Sequence, residues 1–500
     1  MRIDEAKRKI SGFEYMLNRL DIRSGVGRES LSGQPWFAPG QEDALQVELQ
    51  RVERLRAFIG EGKTAVVEKL QLKFSQVLDI RGTFALLEKE AVDDVQLFEL
   101  KRFSLLVREA AAYVKELVKV CAFHPAPVGF PDLSAVVSIL DPNKEGLPTF
   151  YIYDEYDAEL ARKRKEIRCM EAERQPEDSI SETVSRLQAE CEEIERRVRE
   201  ILAERLRPHL CALKEAMQCV AYWDLLLAKA VLAHETVLVP PVLQKNVWNE
   251  NTQPRLRYKG LFNPMVKQAL ESSHHRYQVV DIALQKGTCL LTGANMSGKT
   301  VLLKSLALSQ CLLQFGFPIP AEEATLFLFD GIELLVQDEQ NETRGLSSFG
   351  AEMQRLNTVL ESLRQGARLL LFIDELARTT NPDEGKAIVS AVLECLENAS
   401  CVSMVSTHYG SIPNPVRRLR IRGFREDWNT VAAENGREKN AKKFDISRIQ
   451  ACMDYSVEEE TAQGRPPAEA LRIARLLGFD AEVLERAEKY YGTSEKNNKA

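Results

Sequence analysis

The 500-residue chain has 10 cysteines but no Cys-x-x-Cys pair, and 6 histidines but no His-x-x-x-His or His-Glu-x-x-His pattern. Neither a zinc site nor a disulfide framework is indicated, and dispersed thiols of this kind suit a reducing compartment. There is no excess of positive charge: 67 Lys and Arg stand against 74 Asp and Glu, a net charge of -7, so any surface for a polyanion has to be local. No uncharged apolar run reaches the roughly 18 residues of a membrane-spanning helix. The opening MRIDEAKRKISGFEYML puts charges where a signal peptide needs an apolar core. The expectation is a cytoplasmic chain without a membrane partner. Internal repeats and low-complexity blocks are also missing, which excludes solenoids and disordered tracts as the main architecture.

What is there divides into regions of different pattern. Residues 1–42 read as a short helix and a linker, with Gly33, Pro35, Pro39 and Gly40 in LSGQPWFAPGQ. From 43 to 235 apolar residues recur at three and four, as in Leu45, Leu49, Val52, Leu55 and Phe58, which predicts packed helices. FHPAPVGFPDL interrupts them, and LPTFYIYDEYD reads as one strand or an extended run. Residues 179–234 predict a helix of about fifty residues, some 75 Å long, suited to a lever or spacer. Past Pro240 and Pro241, short apolar runs and glycine turns alternate with helical pattern, an α/β signature over 236–445. Residues 446–492 are expected to form a helical segment and 493–500 a disordered tail.

The chemistry concentrates in the α/β region. Gly293-Ala294-Asn295-Met296-Ser297-Gly298-Lys299-Thr300 fits G-x-x-x-x-G-K-[ST], with an apolar run before it and helical pattern from Lys299 and Val301 onward. Two glycines let successive N–H groups curl toward an anion, and a helix start adds its positive dipole end. In such a cradle Lys299 reaches the β- and γ-phosphates of ATP and Thr300 ligates Mg²⁺. A second apolar run ends at Asp374 and Glu375 in ARLLLFIDELARTT. Asp374 suits the hydrated metal, and Glu375 suits the orientation or deprotonation of water. A third run, CVSMVSTHYGS, ends at His408, whose imidazole could bond a γ-phosphate oxygen. Phe262, Tyr277 and His408 are candidates for the nucleotide base.

Taken in order, TGANMSGKT (292–300), GLSSFGAEM (345–353), DELARTTNPDEG (374–385) and STHY (406–409) resemble the ATPase domain of the DNA mismatch-repair MutS family. Ala294 and Ser297 stand where that family has proline and glycine. CVAYWDLLLAKAVLA (219–233) is similar to the end of the family's long lever helix, and ALRIARLLGFDAEVLERA (470–487) to its C-terminal dimerisation segment. The likeness runs from about residue 43 to 492. It implies an α/β P-loop NTPase of the ABC-like class, preceded by an all-α core with long lever helices. It also implies a dimer, of identical chains or with a paralogue, in which Ser347 and Ser348 of one subunit face the nucleotide of the other. Arg378, Thr380 and Asn381 would lie at the subunit junction.

Two targets are open. About 42 residues precede the helical core, where the family's mismatch-reading domain would need a hundred or so, and residues 151–207 hold 12 Lys/Arg against 16 Asp/Glu. The run Arg162-Lys163-Arg164-Lys165 is read as a solvated helix face flanked by Glu159 and Glu166. FNPMV (262–266), FGFPIPA (315–321), LARTTNP (376–382) and CMDYS (452–456) resemble shortened MutS-related ATPases linked with cobalamin-dependent aminomutases. The leading expectation is therefore an ATP-driven machine acting on such a protein partner. The alternative is a DNA-binding clamp or sensor in mismatch repair or recombination, and a nucleotide-dependent scaffold is the third reading.

Overall fold

The computed structural model describes residues 1–89, 92–172, 182–245, 248, 255–294, 297–336, 348–409, 412–413, 415–424, 453–460, 471, 474 and 479–497, with the backbone alone at 348 and 491–497. The chain forms two compact units, one of residues 1–19, 35–53 and 235–500, the other of residues 20–34 and 54–234.

The second unit is helical. Along the chain run α1 (Ile3–Lys9), α2 (Phe13–Asn18), α3 (Gly25–Ser32), α4 (Glu42–Gly60), α5 (Thr64–Ser75), α6 (Arg81–Lys89), α7 (Asp94–Cys121), α8 (Ser134–Leu140), α9 (Ala158–Ala172), α10 (Glu182–Leu206) and α11 (Leu210–Glu235), of which α3 and α5–α11 build this unit. Asp93 and Gln96 close a capping box at the start of α7. Ser24 caps α3, and the buried Asp224 carboxylate accepts from the Ser24 N–H and hydroxyl and from the Arg23 N–H. Pro208 sits in a 3-10 turn, Arg207–His209, so the chain stays helical across 54 residues from Glu182 to Glu235. Val184, Leu187, Cys191, Ile194, Val198 and Leu202 form the buried stripe of α10 at spacings of three and four. An 18-residue window of this long helix is apolar enough to cross a membrane, but 78% of it is buried inside the protein, as in a core helix. The aromatic stretch before α9 is an extended run ending in a 3-10 turn, Asp154–Tyr156.

The basic run on α9 is engaged within the unit. Lys163 pairs with Glu159 at 3.3 Å and Glu190 at 2.5 Å, and Arg164 pairs with Asp154 at 2.7 Å and Glu195 at 2.8 Å.

The first unit is α/β. Its strands are β1 (Val242–Leu243), β2 (Arg255–Leu261), β3 (Val280–Gln285), β4 (Gly287–Thr292), β5 (Glu323–Leu326), β6 (Gly331–Leu335), β7 (Leu369–Ile373), β8 (Cys401–Ser406), β9 (Arg417–Phe424) and β10 (Met453–Glu459). Among them lie α12 (Pro264–Ser272), α13 (Lys299–Gln314), α14 (Ser348–Arg364) and α15 (Pro382–Glu397), and after them α16 (Ala481–Asn497). The main sheet has the order β10-β9-β4-β8-β7-β6, parallel except for the antiparallel β10 at its edge. A smaller sheet has the order β1-β5-β2-β3. Residues Leu369–Ile373 and Cys401–Ser406 are buried throughout, as strands covered on both faces must be. The helical segment expected over 446–492 needs correction: residues 453–459 are a strand, because their backbone groups complete the ladder of β9. Residues 493–497, read as tail, continue α16. Residues 425–452, which include most of the polar stretch noted in the sequence, lie outside the described residues.

The N-terminal residues pack in this unit. Phe13 and Trp36 set their rings 5.3 and 5.2 Å from Phe315. The buried Gln314 amide at the end of α13 donates to the Phe37 and Phe329 carbonyls, both at 2.8 Å.

A buried charge in the helical unit is held by two partners. Lys101 is fully buried, donating to Asp141 at 3.0 Å and to the Tyr153 hydroxyl at 2.8 Å. Lys101→Ala leaves a buried carboxylate without its cation and is expected to cost about 3–5 kcal/mol. A lower urea midpoint checks this, and an unchanged midpoint would contradict it.

Candidate active site

The loop between β4 and α13 is bent by two glycines. Gly293 has φ 144° and Gly298 φ 92°, values that L side chains rarely adopt. A Cβ on Gly293 would lie 2.9 Å from the Ser297 Oγ and 3.4 Å from the Ile421 carbonyl oxygen, and one on Gly298 would lie 3.1 Å from the Tyr455 ring. Lys299 is buried at the start of α13, and its Nζ donates to the Gly293 and Ala294 carbonyls at 2.7 and 2.8 Å. The Ser297 Oγ is buried without a hydrogen-bond partner. Asn295 and Met296 lie outside the described residues, and Val301 continues α13.

Parallel order brings the ends of β4, β8 and β7 to one edge of the sheet, the edge where open α/β sheets bind ligands. There the Thr300 Oγ1 donates to the Asp374 Oδ2 at 2.5 Å, and the Ser406 Oγ donates to the Asp374 Oδ1 at 2.6 Å. The Glu375 N–H donates to the same Ser406 Oγ at 2.9 Å. The Glu375 carboxylate is paired with Arg378 at 2.6 Å. Glu375 and Ala377 both have left-handed backbones, φ 53° and 59°, a strained arrangement that clusters at functional sites.

His408 follows β8 and is exposed. Partial desolvation, with Arg378 and Lys299 nearby, holds its imidazole below the usual histidine range against the opposing pull of Glu375. The group is therefore neutral near pH 7. Its neighbour Tyr409 donates to the Ala377 carbonyl at 2.7 Å. Gly385 on α15 makes room for that hydroxyl, since a Cβ there would lie 2.0 Å from it. Asn381 caps α15 by accepting from the Asp383 N–H at 3.0 Å. Ser347 lies outside the described residues, and Ser348 is described only as the first residue of α14.

Beside the loop opens a cavity of about 730 Å³ whose lining includes Tyr277, Val301, Leu302, Ile421 and Tyr455. Of the three residues considered for the base, it takes Tyr277 alone. Phe262 is instead buried, with Lys267 4.7 Å from its ring centroid. Tyr455, in the stretch CMDYS, is a lining residue that sequence pattern does not point to. Its place is fixed by Gln278, which accepts from the Tyr455 N–H at 3.1 Å and donates to Asp454 at 2.8 Å. Burial would raise the Asp454 carboxyl, but the Gln278 amide, Ser456 and Arg422 together bring it down to about 2.

The donor set fits a nucleotide and a hard cation. An orphaned hydroxyl, an ammonium held over carbonyls and a glycine-bounded helix start are the kinds of group that a phosphate cradle uses. Among the described residues no cluster of three or more His, Cys, Asp or Glu could cage a metal. Magnesium needs none, since it binds through one or two carboxylates together with substrate phosphates.

Residues 289–493 match the family model of MutS domain V. The match supports membership of the MutS family. Curated relatives named Endonuclease MutS2 support it too. The protein from Streptococcus pneumoniae serotype 19F (strain G54) is 32% identical over 231 residues, covering 46% of this chain and 28% of that protein. The one from Pediococcus pentosaceus is 29% identical over 297 residues, covering 59% and 33%. The one from Streptococcus sanguinis (strain SK36) is 27% identical over 309 residues, covering 61% and 35%. The chain thus spans about a third of the length of these MutS2 relatives.

Gly385→Ala places a methyl group on the Tyr409 hydroxyl and is expected to destabilise the α/β unit by about 1–3 kcal/mol. A fall in melting temperature checks this, and an unshifted melt would show that the contact relaxes freely.

Proposed function

We propose that this chain is a MutS-family ATPase that hydrolyses ATP at the edge formed by β4, β7 and β8, in a dimer whose cycle is coupled to DNA. The observation that carries the reading is the tie of Thr300 and Ser406 to the two oxygens of Asp374, beside a lysine-bearing glycine loop. Gly293, Ala294, Asn295, Met296, Ser297, Gly298, Lys299, Thr300 and Val301 are assigned to ATP. Lys299 neutralises the β- and γ-phosphates, while the positive dipole end at the start of α13 favours the remaining phosphate charge. Thr300 and Asp374 hold Mg²⁺, which when bound neutralises charge on the phosphate oxygens. Glu375 orients and deprotonates the attacking water, and neutral His408 hydrogen-bonds a γ-phosphate oxygen. Tyr277 and Tyr455 offer ring faces to the base.

Ser347 and Ser348 are assigned to the nucleotide of a partner subunit, and Arg378, Thr380 and Asn381 to the junction. Residues 236–445 are taken as the ATPase domain, 43–235 as the helical core with its levers, and 446–492 as the dimer-forming segment despite β10 within it. A cytoplasmic location suits this activity. Coupling to DNA is preferred to reactivation of an aminomutase because the three relatives named above carry the name Endonuclease MutS2. Endonuclease activity is not carried over, since the matches cover only a third of those proteins. Lys163 and Arg164 of the basic run on α9 are already paired with carboxylates, so the DNA contact is not assigned to them.

Lys299→Ala is expected to abolish ATP binding, and unchanged affinity would remove the loop from the site. Glu375→Gln is expected to retain ATP while hydrolysis falls on the order of 100-fold or more; turnover at the original rate would exclude Glu375 as the base. Tyr455→Ala is expected to weaken ATP binding by about 1–3 kcal/mol through lost stacking, with unaltered affinity placing the base elsewhere. For the target, steady-state ATPase is measured with duplex DNA at two salt concentrations and, separately, with a cobalamin-dependent aminomutase. Salt-sensitive stimulation by DNA supports the proposal, whereas stimulation by the mutase alone would overturn it.

A further inference from the structure

Glu352 lies in the first turns of α14, and its two carboxylate oxygens have different surroundings. Oε1 accepts from the Ala377 N–H at 3.2 Å. Oε2 is buried with no hydrogen-bond partner. On the other side of the same residue, the Tyr409 hydroxyl donates to the Ala377 carbonyl at 2.7 Å. Ala377 is thus gripped at both its N–H and its C=O by side chains from two other segments. Leu376 and Ala377 are fully buried, so the grip is sheltered from water.

We infer that Glu352 and Tyr409 form a clamp on the acid loop, and that Glu352 is a positioning residue that fixes where the Glu375 carboxylate points. This deepens the ATPase reading and rests on it. The loop needs such a device because Glu375 and Ala377 both hold left-handed backbones without being glycine. Each would relax toward ordinary φ values if released. Backbone bonds hold only part of the turn: the Leu376 N–H reaches the Ser406 carbonyl at 3.3 Å and the Arg378 N–H reaches that of Glu375 at 3.3 Å, both long. Ala377 has no backbone partner among the described residues and depends on the two side chains. Gly385 belongs to the same device, because any larger residue there would displace Tyr409.

A half-satisfied buried carboxyl is a poor choice for stability alone. Its value lies in the connection it makes. Glu352 is four residues after Ser348, the first residue of α14, so movement of that helix start is passed to the Ala377 peptide and from there to Glu375. Hydrolysis is thereby made sensitive to what the beginning of α14 meets.

The test uses the full chain as wild type, Glu352→Ala, Glu352→Gln and Tyr409→Phe, with steady-state ATPase and equilibrium ATP binding for each. Glu352→Ala is expected to lower kcat on the order of 10- to 100-fold through misplacement of Glu375, with KM and ATP affinity unchanged. Glu352→Gln, which keeps a carbonyl oxygen for the Ala377 N–H, is expected to recover most of the rate. Tyr409→Phe, close in shape to the original, is expected to lower kcat without affecting binding. Wild-type kcat in both Glu352→Ala and Tyr409→Phe overturns the clamp, as does a glutamine variant no better than alanine. A wild-type chain that binds ATP without hydrolysing it overturns the ATPase reading, and the clamp with it.

Discussion

The carboxylate of Asp374 is the point on which the site depends. Its two oxygens accept from Thr300 on α13 and Ser406 at the end of β8, while its own N–H reaches back to the Leu335 carbonyl of β6. One side chain therefore registers the glycine loop against two neighbouring strand ends, and Ser406 extends the same chain to the Glu375 backbone. Charge-assisted bonds of this kind are roughly twice as strong as neutral ones, and they are sheltered here because Asp374 and Ser406 are buried. Two hydroxyls cannot neutralise a carboxylate. The ammonium of Lys299 sits over the loop carbonyls.

The helical unit follows a different economy of charge. Several of its cations on α9 and α10 are matched within the unit, Lys163 and Arg164 to carboxylates of both helices and their approach, Arg196 to Glu193 and Glu200, Arg199 to Asp94 and Glu195. Exposed pairs of this type contribute little stability each. Their consequence is for recognition: matched cations offer little to a phosphate backbone, which gains affinity from counterions released by unpaired Lys and Arg.

Much of this was legible in the sequence wherever chemistry is written locally. Gly293 to Thr300 announces itself by spacing, Asp374 and Glu375 by the apolar run before them, and the long helix by the stripe from Val184 to Leu202. What stayed hidden depends on pairing between distant segments. Gln278 and Asp454 are 176 positions apart, and only the antiparallel addition of β10 to β9 brings Tyr455 to the loop. Residues 453–459 carry too few alternating apolar groups to be separated from a helix by pattern alone. Glu352 was hidden for a related reason, since a glutamate on an amphipathic helix looks solvated until its partner, a backbone N–H on another segment, is known.

On the proposed function, Lys299, Thr300 and Asp374 form one site for a metal-bound nucleotide. Equilibrium binding of ATP to the purified chain, with and without Mg²⁺, tests it most directly. Saturable binding of one ATP per chain, tightening when Mg²⁺ is added, is the expected result. No saturable binding, or an affinity indifferent to Mg²⁺, would contradict it.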